Sequence, residues 1–115
     1  MNKDLCERLF DFAVNVIKFL RKIENSSEVS VIKYQLTKSS TSSGANYEEA
    51  QAGSSRADFR NKINISLREM RESNYWLRIM KEIEIGEVEK REFLINESDE
   101  LKKILGSIAN KIKDK

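Results

Sequence analysis

The sequence predicts an all-α protein, an antiparallel up-down-up-down four-helix bundle in a single domain over residues 1–115. Three observations lead to this prediction. The chain has no proline and is rich in Leu, Ile, Glu, Lys and Arg, a composition suited to long helices. Four segments repeat apolar residues at helical spacing, and short breaks containing Gly, Ser or Asn separate them. The length is sufficient to bury one modest core.

The first helix, about residues 3–23, is more apolar than a bundle helix requires. One seam at 3/4 spacing consists of Leu5, Leu9, Phe12, Val16, Phe19 and Ile23. A second seam beside it consists of Phe10, Ala13, Val14, Ile17 and Leu20. A helix in a small monomeric bundle needs only one apolar face. We therefore expect part of this helix to pack against another subunit.

The second helix, about residues 28–51, changes character half-way along. The break at residues 25–27 offers an N-cap, and the first half is apolar. In the second half, the positions of Ser39, Ser42 or Ser43, Asn46 and Ala50 share one helical face. Such a face of small and polar residues lets another helix approach closely and form hydrogen bonds across the contact.

The third and fourth helices are predicted over about residues 56–83 and 88–111. Ser55 with Asp58 resembles a capping box that starts the third helix, and Gly86 ends this element. The apolar face of the third helix consists of Phe59, Ile63, Leu67, Met70, Leu77 and Met80, widened by Tyr75, Trp76 and Ile79. The inward residues of the fourth are predicted to be Phe93, Leu94, Leu101, Ile104, Leu105, Ile108 and Ile112.

Charge is distributed in bands along the chain, although the net charge is only +2. Residues 56–81 carry +4, residues 82–101 carry −6, and residues 102–115 carry +4. Such bands can form a basic face, or they can reflect complementary charge between neighbouring helices or subunits. The basic residues of the third helix are the candidate nucleic-acid contacts: Arg56, Arg60, Lys62, Arg68, Arg71, Arg78 and Lys81.

The sequence favours neither an enzyme nor a cofactor or metal protein. It contains no histidine and no phosphate-cradling Gly-rich loop, so serine activation by histidine and the usual di-iron ligand pairs are excluded. An all-carboxylate metal site or a pair of Lys38 with Ser42 would be the remaining options. Cys6, the single cysteine, is interpreted as a small hydrophobe. We expect no catalytic residues, no metal and no cofactor.

The same features bear on the cellular compartment. One cysteine cannot form an intramolecular disulfide, which fits a reducing compartment. Asp11, Asn15 and Lys18 interrupt the apolar stretch of residues 9–20, so a signal peptide is not expected. No run approaches the length of a membrane span. The expectation is a cytoplasmic protein without membrane contact.

Three sequence blocks carry a resemblance to a known family. They are Arg-Leu-Phe-Asp-Phe-Ala-Val at residues 8–14, Ser-Thr-Ser-Ser-Gly-Ala-Asn-Tyr-Glu-Glu-Ala within residues 35–53, and the segment from Asp-Phe at 58–59 to Leu-Arg-Glu-Met-Arg-Glu-Ser-Asn-Tyr-Trp-Leu at 67–77. Together they resemble the bacterial four-helix-bundle proteins named after open reading frames in intervening sequences of 23S ribosomal RNA genes. The resemblance spans essentially the whole chain.

This resemblance implies an antiparallel four-helix bundle that assembles into a homopentameric ring. A related branch, the accessory proteins of diversity-generating retroelements, binds nucleic acid and a reverse transcriptase. The residues that match the family pattern, and that we expect in a buried polar network between the second and third helices, are Gln35, Ser42, Asn46, Glu49, Glu69 and Glu72.

Two functional hypotheses follow from the residues and the resemblance. The first is a non-enzymatic oligomeric scaffold that binds RNA, DNA or a nucleic-acid-processing partner through the basic residues of the third helix. The alternative is a protein-interaction module without nucleic-acid contact, which recruits its partner through its apolar surface or through the acidic residues 82–101.

Overall fold

The computed structural model of the protein describes residues 4–53 and 55–113. These residues form four helices, α1 (Leu5–Arg21), α2 (Ser27–Ala50), α3 (Arg56–Glu82) and α4 (Val88–Lys113). Helices that follow each other in sequence pack antiparallel, because early residues of one contact late residues of the next. α4 closes the bundle against α1, where Arg8 bonds to Glu97 and Glu100. The predicted all-α up-down-up-down bundle is confirmed.

Polar caps fix where three of the helices begin. The side chain of Asp4 accepts a hydrogen bond from the Glu7 amide, so α1 starts at Leu5. Ser26 and Ser55 cap α2 and α3 in the same way. Each cap satisfies an amide that lacks a partner within its helix. The predicted start of the first helix at residue 3 lies outside the described residues.

One continuous apolar core runs through the bundle, and each helix contributes to it. Its buried members are Leu9, Phe12, Val16, Phe19, Leu20, Ile32, Leu36, Leu67, Met70, Leu77, Met80, Leu94, Ile95, Leu101 and Leu105. They include residues from both seams of α1, four from the predicted inward face of α3, and three of the seven residues predicted inward on α4, which are Leu94, Leu101 and Leu105. Burial of this apolar area is the main driving force that holds the four helices together.

Some of the apolar residues assigned to inward faces lie at the surface. Phe93, expected inward on α4, is 57% exposed, and Tyr75 on α3 is 49% exposed. Adjacent residues of an α-helix point about 100° apart, so Phe93 points away from the direction of the buried Leu94. The buried apolar stripe of α4 is too narrow to include both residues. Phe10, from the second seam of α1, is 61% exposed.

α2 meets α3 through buried serines. The hydroxyl of Ser43 donates to the Ser66 carbonyl at 2.8 Å, and the hydroxyl of Ser66 donates to the Ser43 carbonyl at 2.7 Å. One level further along the bundle, the hydroxyl oxygens of Ser39 and Ser73 lie 2.8 Å apart. All four side chains are fully buried. We call Ser39, Ser43, Ser66 and Ser73 the serine seam.

The turn between α3 and α4 depends on a glycine. Gly86 has φ +90°, in the left-handed region, and a Cβ at this position would run into the ring of Phe19. Only glycine takes this conformation readily and also leaves room for the aromatic ring of α1. Among the described residues, no helix is long and apolar enough to cross a membrane.

Candidate nucleic-acid interface

A basic groove opens on the outer side of the α3–α4 contact, with a volume of about 820 Å³. Its lining residues are Arg71, Asn74, Arg78, Lys102, Lys103, Gly106, Ser107, Asn110 and Lys111. We call this the basic groove. Five of the nine carry a positive charge and none carries a negative one. Such a concentration of one sign of charge in a concave surface focuses a positive potential outward.

The two helices bring their charges together because they run antiparallel. The last third of α4 lies beside the middle of α3, so the lysines after residue 101 face the arginines of residues 71–78. The basic bands at residues 56–81 and 102–115 thus meet in space. The start of the acidic band lies at the other end of the α3–α4 pair, where Lys81 contacts Glu92 at 3.2 Å, whereas Asp99 near its end borders the groove.

Asn74 anchors the floor of the basic groove and orients one of its arginines. Its side-chain amide nitrogen donates to the Ser98 hydroxyl at 2.8 Å and to the Asp99 carboxylate at 3.0 Å. Its carbonyl oxygen accepts a hydrogen bond from Arg78 Nε at 2.9 Å. Asn74 is only 1% exposed, so its position is fixed by packing. Arg78 is therefore held by its Nε edge, and its terminal amino groups form no further hydrogen bond within the described part of the chain.

Of the seven basic residues predicted as nucleic-acid contacts, the structure places two in the basic groove, Arg71 and Arg78. Lys62 faces Glu49 of α2 at 3.8 Å, and Lys81 bonds to Glu92 of α4. Those two lysines fit the alternative of complementary charge between helices. The rest, Arg56, Arg60 and Arg68, lie on α3 outside the lining of the groove.

Three cations of the groove were not among the predicted contacts: Lys102, Lys103 and Lys111. Their signal was present in the sequence as the +4 band at residues 102–115. What the band did not show is that α4 would bring these lysines opposite Arg71 and Arg78. Lys102 is partly neutralised by Asp99, 3.4 Å away on the preceding turn.

The six residues that the family pattern assigned to a buried polar network do not take part in the serine seam. Asn46 donates to the carbonyl and the hydroxyl of Ser42, both within α2. Glu72 accepts a hydrogen bond from Trp76 Nε1 at 3.1 Å, within α3. Neither of these bonds crosses from one helix to the other.

The other three of the six do not bond to the serine seam either. Glu49 is exposed and faces Lys62 of α3 at 3.8 Å, and the side chains of Gln35 and Glu69 are half-buried and form no hydrogen bond within the described residues. The buried bonds between α2 and α3 are made by serines. The short hydroxyl side chains of Ser43 and Ser66 reach the backbone carbonyls of the closely packed neighbouring helix.

No group with catalytic geometry stands out in the described residues. There is no cluster of three His, Cys, Asp or Glu side chains that could hold a metal ion. Burial, followed by the charges of Glu48, Asp4 and Glu7, raises the pKa of the Cys6 thiol. A raised pKa keeps the thiol protonated at neutral pH, whereas a nucleophilic cysteine needs a lowered one.

A second surface feature is an apolar depression between α1 and α2, about 450 Å³ in volume. Its α1 side is lined by Leu9, Phe10, Ala13, Val14 and Ile17. Its α2 side is lined by Thr41, Gly44, Ala45, Glu48 and Glu49. Its α1 side includes Phe10, Ala13, Val14 and Ile17 of the second seam, on the helix of which we expect a part to contact another subunit.

Comparison with known proteins places the chain in a family. The sequence matches the family described as 23S rRNA-intervening sequence protein over residues 1–107. The chain belongs to this family. A crystal structure from Bacteroides thetaiotaomicron, described as a protein with unknown function from the S23 ribosomal protein family, is 37% identical and superposes with a TM-score of 0.82. The match covers 92% of this chain and 98% of that one.

A comparison with curated proteins gave no match. The resemblance drawn from the three sequence blocks is therefore confirmed at the level of the family and the fold. Neither the family description nor the solved structure indicates an enzymatic family.

Proposed function

We propose that this member of the 23S rRNA-intervening sequence protein family is a non-enzymatic oligomeric scaffold that binds nucleic acid in the basic groove. The observation that carries the proposal is the lining of the groove, with five cations from two helices and no carboxylate. Nucleic-acid affinity comes mainly from neutralised phosphates, and it rises with the number of cations that contact them.

The state of Arg78 supports phosphate as the ligand. Asn74 holds the Nε edge of this guanidinium, which leaves its terminal amino groups for another acceptor. A planar guanidinium in a fixed position binds two phosphate oxygens at once, and charge-assisted bonds of this kind are about twice as strong as neutral ones. This hydrogen bond reduces the side-chain entropy that Arg78 loses on binding.

Self-association would place several copies of the basic groove in one assembly. The apolar depression of α1 and α2 supports a contact with a second copy of the chain, because Phe10 projects from it with 61% of its surface exposed. Symmetric assembly would then present several basic grooves at once, and the resemblance suggests five copies. A single groove neutralises few phosphates, whereas a ring of grooves would bind with a steep dependence on salt.

The direct test is a fluorescence-anisotropy titration with structured RNA, duplex DNA and single strands at several salt concentrations. We expect the double variant Arg71→Glu with Lys103→Glu to lose at least tenfold in affinity and to show a shallower salt slope. The matched control is Arg68→Glu with Arg56→Glu, which makes the same charge change on α3 residues outside the groove. Equal losses in both double variants, or no binding by the native protein at low salt, would contradict the proposal.

Assembly is tested separately by analytical ultracentrifugation. Phe10→Glu removes an exposed apolar contact from the α1–α2 depression and should shift the protein towards the monomer. Phe93→Glu is the matched control, since Phe93 is similarly exposed, at 57%, on a different helix. A native protein that sediments as a monomer would rule out the oligomeric part of the proposal.

A second candidate function rests on the acidic band. Ile83, Val88 and Phe93 are exposed within or beside residues 82–101, and apolar side chains among carboxylates suit a basic, amphipathic protein partner. The carboxylates are only partly available, since Glu92, Glu97 and Glu100 already pair within the bundle. The test is a pull-down with and without nuclease. A bound protein that remains after nuclease treatment of the native sample, and that Phe93→Glu no longer captures, would favour this alternative.

A further inference from the structure

An aromatic ring stands beside the arginines of the basic groove. Tyr75 follows Asn74 on α3, four residues after Arg71 and three before Arg78. Side chains at these spacings are neighbours on a helix surface. The Tyr75 side chain thus lies on the same outward side of α3 as both arginines, and it is 49% exposed.

The ring of Tyr75 is held in place by its neighbours. It makes an edge-to-face contact with Trp76, with ring centroids 5.2 Å apart and an interplanar angle of 75°. Trp76 is itself fixed by the hydrogen bond from its Nε1 to Glu72. The Arg78 guanidinium lies over one face of the Tyr75 ring, with its Cζ 5.9 Å from the ring centroid, so a base would stack on the opposite face.

The packing of the bundle does not account for this ring. Tyr75 belongs neither to the buried core nor to the partly buried residues packed on it. Its hydroxyl makes no hydrogen bond within the described residues. A tyrosine of this kind offers an aromatic surface to a ligand, at a place where cations already attract phosphate.

We propose that the ligand of the basic groove is single-stranded nucleic acid, with a base stacked on Tyr75 while the adjacent phosphates contact Arg71 and Arg78. This inference rests on the proposed function and specifies its ligand class. In a duplex, the flat faces of the bases are stacked on each other and cannot reach a protein ring. In a single strand they are available, and proteins combine a basic groove with exposed aromatic rings to bind it.

The experiment measures the affinity of three probes with equal numbers of phosphates. They are a mixed-sequence single strand, a single strand with abasic residues at its centre, and a duplex. We expect the native protein to prefer the intact single strand. Tyr75→Leu should weaken binding of that strand roughly tenfold, the scale of one stacked base. It should leave affinity for the abasic strand and the duplex within twofold, and it should leave the salt slope unchanged.

Two further variants separate stacking from other effects. Tyr75→Phe keeps the ring and should bind as the native protein does. Tyr34→Leu makes the same change at a tyrosine that is 64% exposed and lies on α2, a helix that contributes no residue to the groove lining, and should have no effect.

The outcomes distinguish this inference from the proposed function. Equal binding of the intact and abasic strands by the native protein would overturn the inference, and so would a loss in Tyr75→Leu that is the same for all three probes. Binding that still depends on Arg71 and Lys103 would then leave the proposed function standing. If the native protein bound none of the probes at low salt, both would fall.

Discussion

The two sides of α3 differ in the size and charge of their polar residues: small serines face α2, and long arginines lie at the edge next to α4. Towards α2, Ser66 and Ser73 are fully buried and bond directly to the serines of the neighbouring helix. Towards α4, the outer edge carries Arg71 and Arg78, and an open groove remains between the helices. One helix therefore has a closed polar contact on one side and an open charged one on the other.

The difference shows how side-chain length and charge decide whether a polar helix contact can close. A serine hydroxyl adds little volume and is satisfied by the nearest carbonyl, so a serine face can be buried completely. A guanidinium or ammonium group is costly to bury without a countercharge. Because no carboxylate lines the basic groove, its cations remain available to an anionic ligand, apart from Lys102, which pairs with Asp99.

The largest effect that the comparison predicts is for added volume in the serine seam. Ser66→Leu would remove the reciprocal hydrogen bonds with Ser43 and force a larger side chain between two closely packed helices. We expect a loss of about 3 kcal/mol in the free energy of unfolding, the combined scale of overpacking and a lost buried hydrogen bond. Urea denaturation followed by circular dichroism measures it.

The matched control on the other side of α3 is Arg71→Leu. This side chain is exposed in the basic groove, so its replacement should change stability by about 0.5 kcal/mol or less. Similar losses in the two variants would mean that the seam is no more tightly packed than the groove.

Asn74→Ala should have the next largest effect, and it links stability to the groove. It leaves the buried Ser98 hydroxyl with one partner fewer and frees the Nε edge of Arg78. The expected loss is about 2 kcal/mol, the scale of a buried polar group whose partner is removed.

The same variant should weaken binding of a phosphate-rich probe without changing the salt slope, because no cation is removed. Arg78→Ala is the reference for the groove, since it removes the cation and should lower the slope. If Asn74→Ala reduced stability but left affinity intact, Asn74 would not position Arg78 for the ligand.

The sequence was sufficient to predict the four helices and most of the core. Apolar residues such as Leu9, Met70 and Leu105 recur at helical spacing, and capping serines mark two of the helix starts. Periodicity identifies which face of a helix is apolar, but it does not fix how wide the buried stripe is. This is why Phe93, next to the buried Leu94, was assigned to the wrong side.

The site was predictable only in part, because it depends on which helices become neighbours. Arg71 and Arg78 could be selected from α3 alone, whereas Lys103 and Lys111 reach them only once α4 packs antiparallel. The serine seam illustrates the same point. The small-residue face of α2 was evident in the sequence, but the choice of Ser39 and Ser43 over Ser42 and Asn46 depends on the rotation of α2 against α3.

The smallest predicted effect is a gain in stability, and it concerns the basic groove. Gly106 lies within α4 and lines the basic groove, and a Cβ added there would meet no heavy atom within 4 Å apart from its chain neighbours and the adjacent backbone of α4. Gly106→Ala should therefore raise the free energy of unfolding by about 0.5–1 kcal/mol, since alanine loses less backbone entropy in a helix than glycine does. Gly86→Ala, at a positive φ and against Phe19, should instead destabilise the protein. A loss of stability in Gly106→Ala would show that the groove closes in solution. A gain, with nucleic-acid affinity unchanged, would mean that the groove stays open in the folded protein and that its cations, rather than its exact shape, hold the ligand.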